Sequence, residues 1–142
     1  MNNKKNITIL LIEDDSFLIS MYSTKFEIEG FNVISANNGE KGLEAVNKNK
    51  VDIILLDILM PKMNGFEVLE NLKKQQKTAK IPVILLTNLN QKDEIDKGLA
   101  LGADDYLVKA HFMPSEVVNK IEKILNIGII DKCQIRHKFS DF

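Results

Sequence analysis

Apolar residues along the chain gather in short blocks. Four are continuous: ITILLI at 7–12, DIILL at 52–56, IPVILL at 81–86 and DYLV at 105–108. A fifth, FNVIS at 31–35, alternates. Continuous runs of this length predict strands covered on both faces, as in a parallel sheet, while alternation predicts a strand with one face less buried. Helical periods lie between the blocks. Leu18, Met21, Tyr22 and Phe26 recur at helical spacing, and Gly30 is placed to end that helix. Leu43 and Val46 mark a second helix; Phe66, Val68, Leu69 and Leu72 mark a third. The fourth, Asp93 to Ala100, is sparse in apolar residues, with Ile95 and Leu99 as its anchors. The fifth opens at Pro114, suited to a first helical position, and carries Val117, Val118, Ile121, Ile124 and Leu125. Strand and helix alternate five times, which predicts an α/β fold: a doubly wound, five-stranded parallel sheet with right-handed crossovers. One domain is expected over 1–126. The remaining 127–142 has no clear period and is expected to be a tail.

Each continuous run leads into a distinctive polar residue. The first reaches Glu13, Asp14 and Asp15, the second Asp57, the third Thr87 and the last Lys109. In a parallel sheet the carboxyl ends of the strands share one edge, where ligands bind at a topological switch point. Residues far apart in sequence therefore converge on one site. Asp57 stands between IILL and ILM, and a carboxylate in such a run needs neutralisation or a partner. Clustered carboxylates repel one another, and a hard divalent cation relieves this; an all-oxygen site with few protein ligands suits Mg²⁺. Lys109 and the cation would offset the charge of a tetrahedral anionic group, and Thr87 would donate to it. A carboxylate can attack a phosphoryl group, so Asp57 is expected to be a phosphoryl acceptor.

Composition narrows the class. A formal net charge of -1 gives no electrostatic reason to expect nucleic acid or an anionic membrane as a partner. No segment is long and apolar enough to span a bilayer, and the N-terminal apolar run is too short for a signal peptide, so a cytoplasmic location is expected. The single cysteine, Cys133, excludes an internal disulfide and a multi-cysteine metal site. Arg136 is the only arginine, so a phosphate clamp in the body of the domain must use lysine, a metal or backbone amides.

The segments LLIEDD, IILLDILMPKMNG, PVILLTN and GADDYLVK, in this order and spacing, resemble a response-regulator receiver domain of two-component signalling. The resemblance runs from Ile7 to about Leu125 and implies the flavodoxin-like receiver fold. It implies Asp57 as the phosphorylation site, Asp14 as a direct Mg²⁺ ligand, Glu13 as a ligand through water and the Leu59 carbonyl as the third protein ligand. Thr87 and Tyr106 match the family's switch pair and Lys109 its lysine. The phosphoryl donor would be a sensor histidine kinase or phosphotransfer protein. The output would be a protein target, or a self-dimer, through the face of the fourth helix, fifth strand and fifth helix. No output domain is expected after Leu125. Asp15 reads instead as a helix N-terminal acid. Two positions depart from the family: Ala110 replaces the proline after the lysine, leaving the Lys109–Ala110 bond cis or trans, and Asn88 is bulkier than usual.

Rival readings fit less well. An Mg²⁺-dependent phosphatase with an aspartate nucleophile wants a second aspartate two residues on as general acid, where Leu59 stands. A flavin protein wants a hydroxyl- and glycine-rich loop after the first strand, and EDDSF would repel a phosphate. The domain is thus expected to be regulatory, with slow self-dephosphorylation because Leu59 and Leu89 offer water no hydrogen bond. His111 and Cys133 read as ordinary side chains.

Overall fold

A computed structural model describes residues 6–88, 92–109 and 113–126. Five strands, β1 (Thr8–Ile12), β2 (Asn32–Ala36), β3 (Ile53–Asp57), β4 (Val83–Thr87) and β5 (Asp105–Val108), alternate with five helices. The helices are α1 (Ser16–Ile28), α2 (Gly39–Lys48), α3 (Gly65–Lys74), α4 (Lys92–Ala100) and α5 (Pro114–Leu125). All strands pair in parallel in the order β2-β1-β3-β4-β5. The expected doubly wound sheet is the observed one. Because the crossovers change direction after β2, the chain reverses between β1 and β3, and their carboxyl ends form the switch point.

The continuous runs bury two faces at once. On one face Ile9, Leu11, Ile53, Leu55, Ile84 and Leu86 meet Tyr22 and Phe26 of α1 and Val117, Val118 and Ile121 of α5. On the other, Leu10, Ile12, Ile54, Leu56 and Leu85 meet Val46 of α2 and Phe66, Val68, Leu69 and Leu72 of α3. Alternate residues of one strand thus serve two cores.

Local chemistry sets the helix ends. The Asp15 carboxylate caps α1 by accepting from the N–H groups of Phe17 and Leu18, which is the role expected of it. Asn38 caps α2, and Asn64 with Glu67 makes a capping box on α3. Gly30, at φ 101°, follows the end of α1 in the left-handed conformation that glycine adopts without penalty.

Several expectations need correction. Two strands are displaced from their runs: the run at 52–56 gives β3, which ends on Asp57, and the run at 81–86 gives β4 over 83–87, since Pro82 has no N–H to give a ladder. Strand β5 is not covered on both faces; it is an edge, with only Leu107 buried and Tyr106 37% exposed. Leu99 does not anchor α4. It is exposed, and Ile95 and Gly98 are the buried residues of that helix. All five helices otherwise lie where their periods put them. Leu89, the Lys109–Ala110 bond, His111, Cys133, Arg136 and the 127–142 tail lie outside the described residues.

Candidate functional site

The site forms because charged residues continue the inward face of apolar strands. Asp57 carries on the side of β3 that holds Ile53 and Leu55, and Glu13 follows Ile9 and Leu11 on β1. Neighbouring parallel strands lie about 4.8 Å apart, so the ends of β1 and β3 bring these two acids together. Both are buried: Glu13 is 0% and Asp57 2% exposed. Lys109 leaves β5, two strands from β3, and its four-carbon stem spans β4 to reach them. Its Nζ lies 2.7 Å from Glu13 Oε1 and 3.0 Å from Asp57 Oδ1. Glu13 Oε1 has no hydrogen bond of regular geometry, and the lysine charge is what compensates it.

Backbone N–H groups also hold the two carboxylates, on the second oxygen of Glu13 and on the same Asp57 oxygen that faces Lys109. Glu13 Oε2 accepts from the N–H of Asp15 at 3.1 Å, and Asp57 Oδ1 accepts from the N–H of Leu59 at 3.3 Å. The loop after β3 is tied back by Gly65, whose N–H donates to the Ile58 carbonyl at 2.8 Å. A Cβ at Gly65 would lie 2.5 Å from the Asp57 carbonyl oxygen, so only glycine lets α3 start this close to the acceptor.

Burial pushes the Asp57 carboxyl up to about 7; the charge of Glu13 adds to the rise and Lys109 opposes it. Burial alone would lower the Lys109 ammonium, but its contacts with Glu13 and Asp57 outweigh that and the net shift is upward. The phenol of Tyr22, buried in α1, is raised by burial and then by the charges of Glu13 and Asp57. Tyr22 therefore borders the site. Its helical spacing marked it only as core.

Glu13, Asp14 and Asp57 each offer a carboxylate oxygen, and these oxygens lie within 4.8 Å of one another. Asp14 is exposed and opens the group to solvent. Two buried acids and one exposed acid, all with oxygen donors, fit a hard divalent cation. Thr87, 2% exposed, ends β4 beside Asp57, whose register partner is Leu86. Tyr106 pairs with Leu85 two residues back from the Thr87–Val108 pair, on the sheet face that α4 covers at Gly98. The side chain of Leu59 is 49% exposed.

The structure thus brings Glu13, Asp14, Asp57 and Lys109 together, with Thr87 adjacent and Tyr106 outside the cluster. What the spacing did not reveal is the direct contact of Lys109 with Glu13. A lysine at the end of an edge strand shows in sequence, but its reach across two strand ends does not.

Comparison with known proteins gives the family and the fold. The sequence model of the response regulator receiver domain matches residues 9–122. The transcriptional regulatory protein CpxR of Escherichia coli K12 is 44% identical over 117 residues, covering 82% of this chain and 48% of that protein. The chain therefore spans about half the length of this curated relative. Among solved structures, the receiver domain of Francisella response regulator 1452 matches with a TM-score of 0.78 at 32% identity, covering 85% of this chain and 98% of that one. The chemotaxis response regulator CheY4 of Vibrio cholerae matches with a TM-score of 0.78 at 27% identity, covering 83% and 98%. With the sequence model matching most of its length, the chain belongs to the response regulator receiver domain family of two-component signalling.

Proposed function

We propose that the domain is a phosphorylation-controlled switch in which Asp57 accepts a phosphoryl group from a histidine kinase or phosphotransfer protein. The observation that supports this most is the position of Asp57: a buried carboxylate at a strand end, between a second carboxylate and a lysine. An Asp57 oxygen attacks phosphorus; the new P–O bond forms as the bond to the donor imidazole breaks, and the imidazole leaves with its electron pair. Asp14, Asp57, the Leu59 carbonyl and, through water, Glu13 would hold Mg²⁺, which would supply positive charge to offset the phosphoryl oxygens and favour the ionised form of Asp57. Lys109 moves from the carboxylates to a phosphoryl oxygen, and Thr87 donates to another.

Thr87 shifting towards the phosphoryl group leaves space that Tyr106 enters from its half-exposed position. The face of α4, β5 and α5 then changes shape, biasing a two-state equilibrium read by a protein target or a second copy. Function in the cytoplasm and without direct nucleic-acid contact by this domain follows from the same reading. Leu59 carries no group to orient water, so the phosphoryl group is retained over minutes or longer.

The test is incubation with Mg²⁺ and a small acyl phosphate, followed by mass measurement. Wild type gains one phosphoryl group on Asp57, and Asp57→Asn gains none. After the donor is removed, the added mass decays over minutes or longer. Equal labelling of the variant sinks the assignment of the acceptor, and loss within seconds sinks that of the slow state.

A further inference from the structure

The opposite edge of the sheet carries a second concentration of charge that the phosphorylation chemistry does not use. Six lysines, Lys48 and Lys50 at and just after the end of α2 and Lys73, Lys74, Lys77 and Lys80 at and after the end of α3, fall in segments 45–51 and 71–82, which hold no carboxylate. Between the two segments lies a cleft of about 440 Å³, open to solvent, with Val46, Val51 and Ile81 on its floor and Lys48, Lys50 and Lys77 on its walls. That volume falls within the range of roughly 300–1,000 Å³ typical of ligand sites. The walls are built: Lys77 Nζ donates to the Asn47 carbonyl at 2.8 Å, and Lys73 Nζ to the Ala79 carbonyl at 3.0 Å, tying the loop after α3 to itself and to the end of α2.

The simplest role for such lysines is to complement helix dipoles. Lys48, Lys73 and Lys74 do lie in last turns, but each helix end supplies only about half a negative charge. Asp52 and Asp104 lie at this edge and accept from the N–H groups of Thr8 and Val83. Dipoles and carboxylates together fall short of the six lysines, so this corner keeps a positive excess in a chain whose formal net charge is -1. Its position matters as well. The cleft sits at the amino ends of the strands, the sheet's full length away from Asp57.

We infer that this cleft docks an acidic segment of a partner protein, with apolar side chains on the Val46, Val51 and Ile81 floor and flanking carboxylates on Lys48, Lys50 and Lys77. A single-stranded nucleic acid would call for aromatic side chains to stack its bases, and the cleft has none. A membrane would call for exposed large apolar groups, and none of those on the described surface lines the cleft. Because the site is remote from Asp57, docking is independent of phosphorylation. It tethers the domain to a partner in both states.

The probe is a fluorescently labelled peptide of Leu residues flanked by Glu, titrated at low salt against the full chain. Saturable binding is expected, weakening as salt is added. The double variant Lys48→Glu, Lys50→Glu should bind on the order of tenfold more weakly, since two exposed attractions become repulsions. Its melting temperature should stay within a few degrees of wild type, since Lys48 only complements the end of α2 in solvent. A peptide with Ser in place of Leu should also lose affinity, and Asp57→Asn should bind as wild type does. Undiminished binding by the double variant, or by the Ser peptide, overturns the inference. So does tighter binding of oligo-dT or of phosphatidylserine vesicles than of the acidic peptide. Failure of Asp57 to accept phosphate would leave every one of these results unchanged.

Discussion

At the carboxyl edge of the sheet, Glu13, Asp57 and Lys109 are buried against one another. At the amino edge, Lys48, Lys50, Lys74, Lys77 and Lys80 stand exposed. Both edges are rich in charge, yet the physics differs. A buried ion pair is dehydrated, so its members depend on one another and the loss of one strands the rest. An exposed lysine is solvated with or without a neighbour. One edge therefore couples protonation, metal binding and stability, while the other offers charge to a partner at little structural cost. Charge substitutions should have large, pH-dependent consequences at the first edge and small ones at the second.

The largest effect is expected from Lys109→Met. It leaves Glu13 and Asp57 facing each other without a cation, and breaking a buried pair in this way costs about 3–5 kcal/mol. Denaturant unfolding near neutral to alkaline pH, without metal, should show a loss of this order. The deficit should shrink as the pH falls, because Asp57 can then take up a proton. A loss that does not vary with pH would mean that packing of the lysine stem, and not its charge, is what matters.

A smaller effect of opposite sign is expected from Asp57→Asn in the metal-free protein. The folded state holds the Asp57 proton up to about pH 7, against an ordinary carboxylate value of 3.8. The native state thus binds that proton more tightly than the unfolded chain does. The stabilisation from this group is complete below the ordinary carboxylate range and is lost as pH rises through about 7. The asparagine variant lacks this titration. It should be more stable than wild type above neutrality, with the difference closing on acidification. Parallel stability–pH curves for the two proteins would show that Asp57 is not held in its raised state.

The two edges were unequally legible in the sequence. Asp57 could be placed because it interrupts an apolar run, and a charged residue in a buried strand has few explanations. The other site residues, Glu13, Asp14, Thr87 and Lys109, follow from the same strand-end logic. Gly98 could not be found this way. A glycine adds nothing to a hydrophobic period, yet a Cβ there would run into the Leu85 side chain, and the absence of one lets α4 approach the sheet. Leu99 took its place in the pattern because apolar periodicity registers side chains and not close backbone approach. The exposure of β5 was hidden for a related reason. Its composition is that of a central strand, and only the sheet order makes it an edge. The lysine-lined cleft needed three dimensions throughout, since its two segments lie apart in sequence and each alone reads as a solvated run.

A third effect concerns the metal. A cation that binds only the folded cluster of Glu13, Asp14 and Asp57 stabilises by linkage, by about 1.4 kcal/mol when its concentration is ten times the dissociation constant. Melting of wild type should rise with Mg²⁺. Asp14→Ala should lose most of that response, because it removes the exposed acid that completes the group. An equal Mg²⁺ response in the variant would move the cation elsewhere on the protein.

The smallest effect belongs to the amino edge. Lys74 ends α3 in solvent, among the last-turn residues that favour a positive charge. Lys74→Ala removes that charge from the helix terminus, which is worth roughly 0.3–1 kcal/mol at low salt and less at physiological ionic strength. Alanine's higher helix propensity offsets part of the loss. Unfolding in moderate salt should therefore place the variant within about 0.5 kcal/mol of wild type. The small change should not depend on pH between acidic and neutral conditions, since no carboxylate pairs with this lysine among the described ion pairs. That flat response is the counterpart of the steep one at Lys109: both variants remove an ammonium group, but Lys109 is buried against two carboxylates, whereas Lys74 stands exposed and in none of the described ion pairs. A loss of several kcal/mol at Lys74 would erase the contrast between the edges and would imply that the amino-edge lysines hold the fold together.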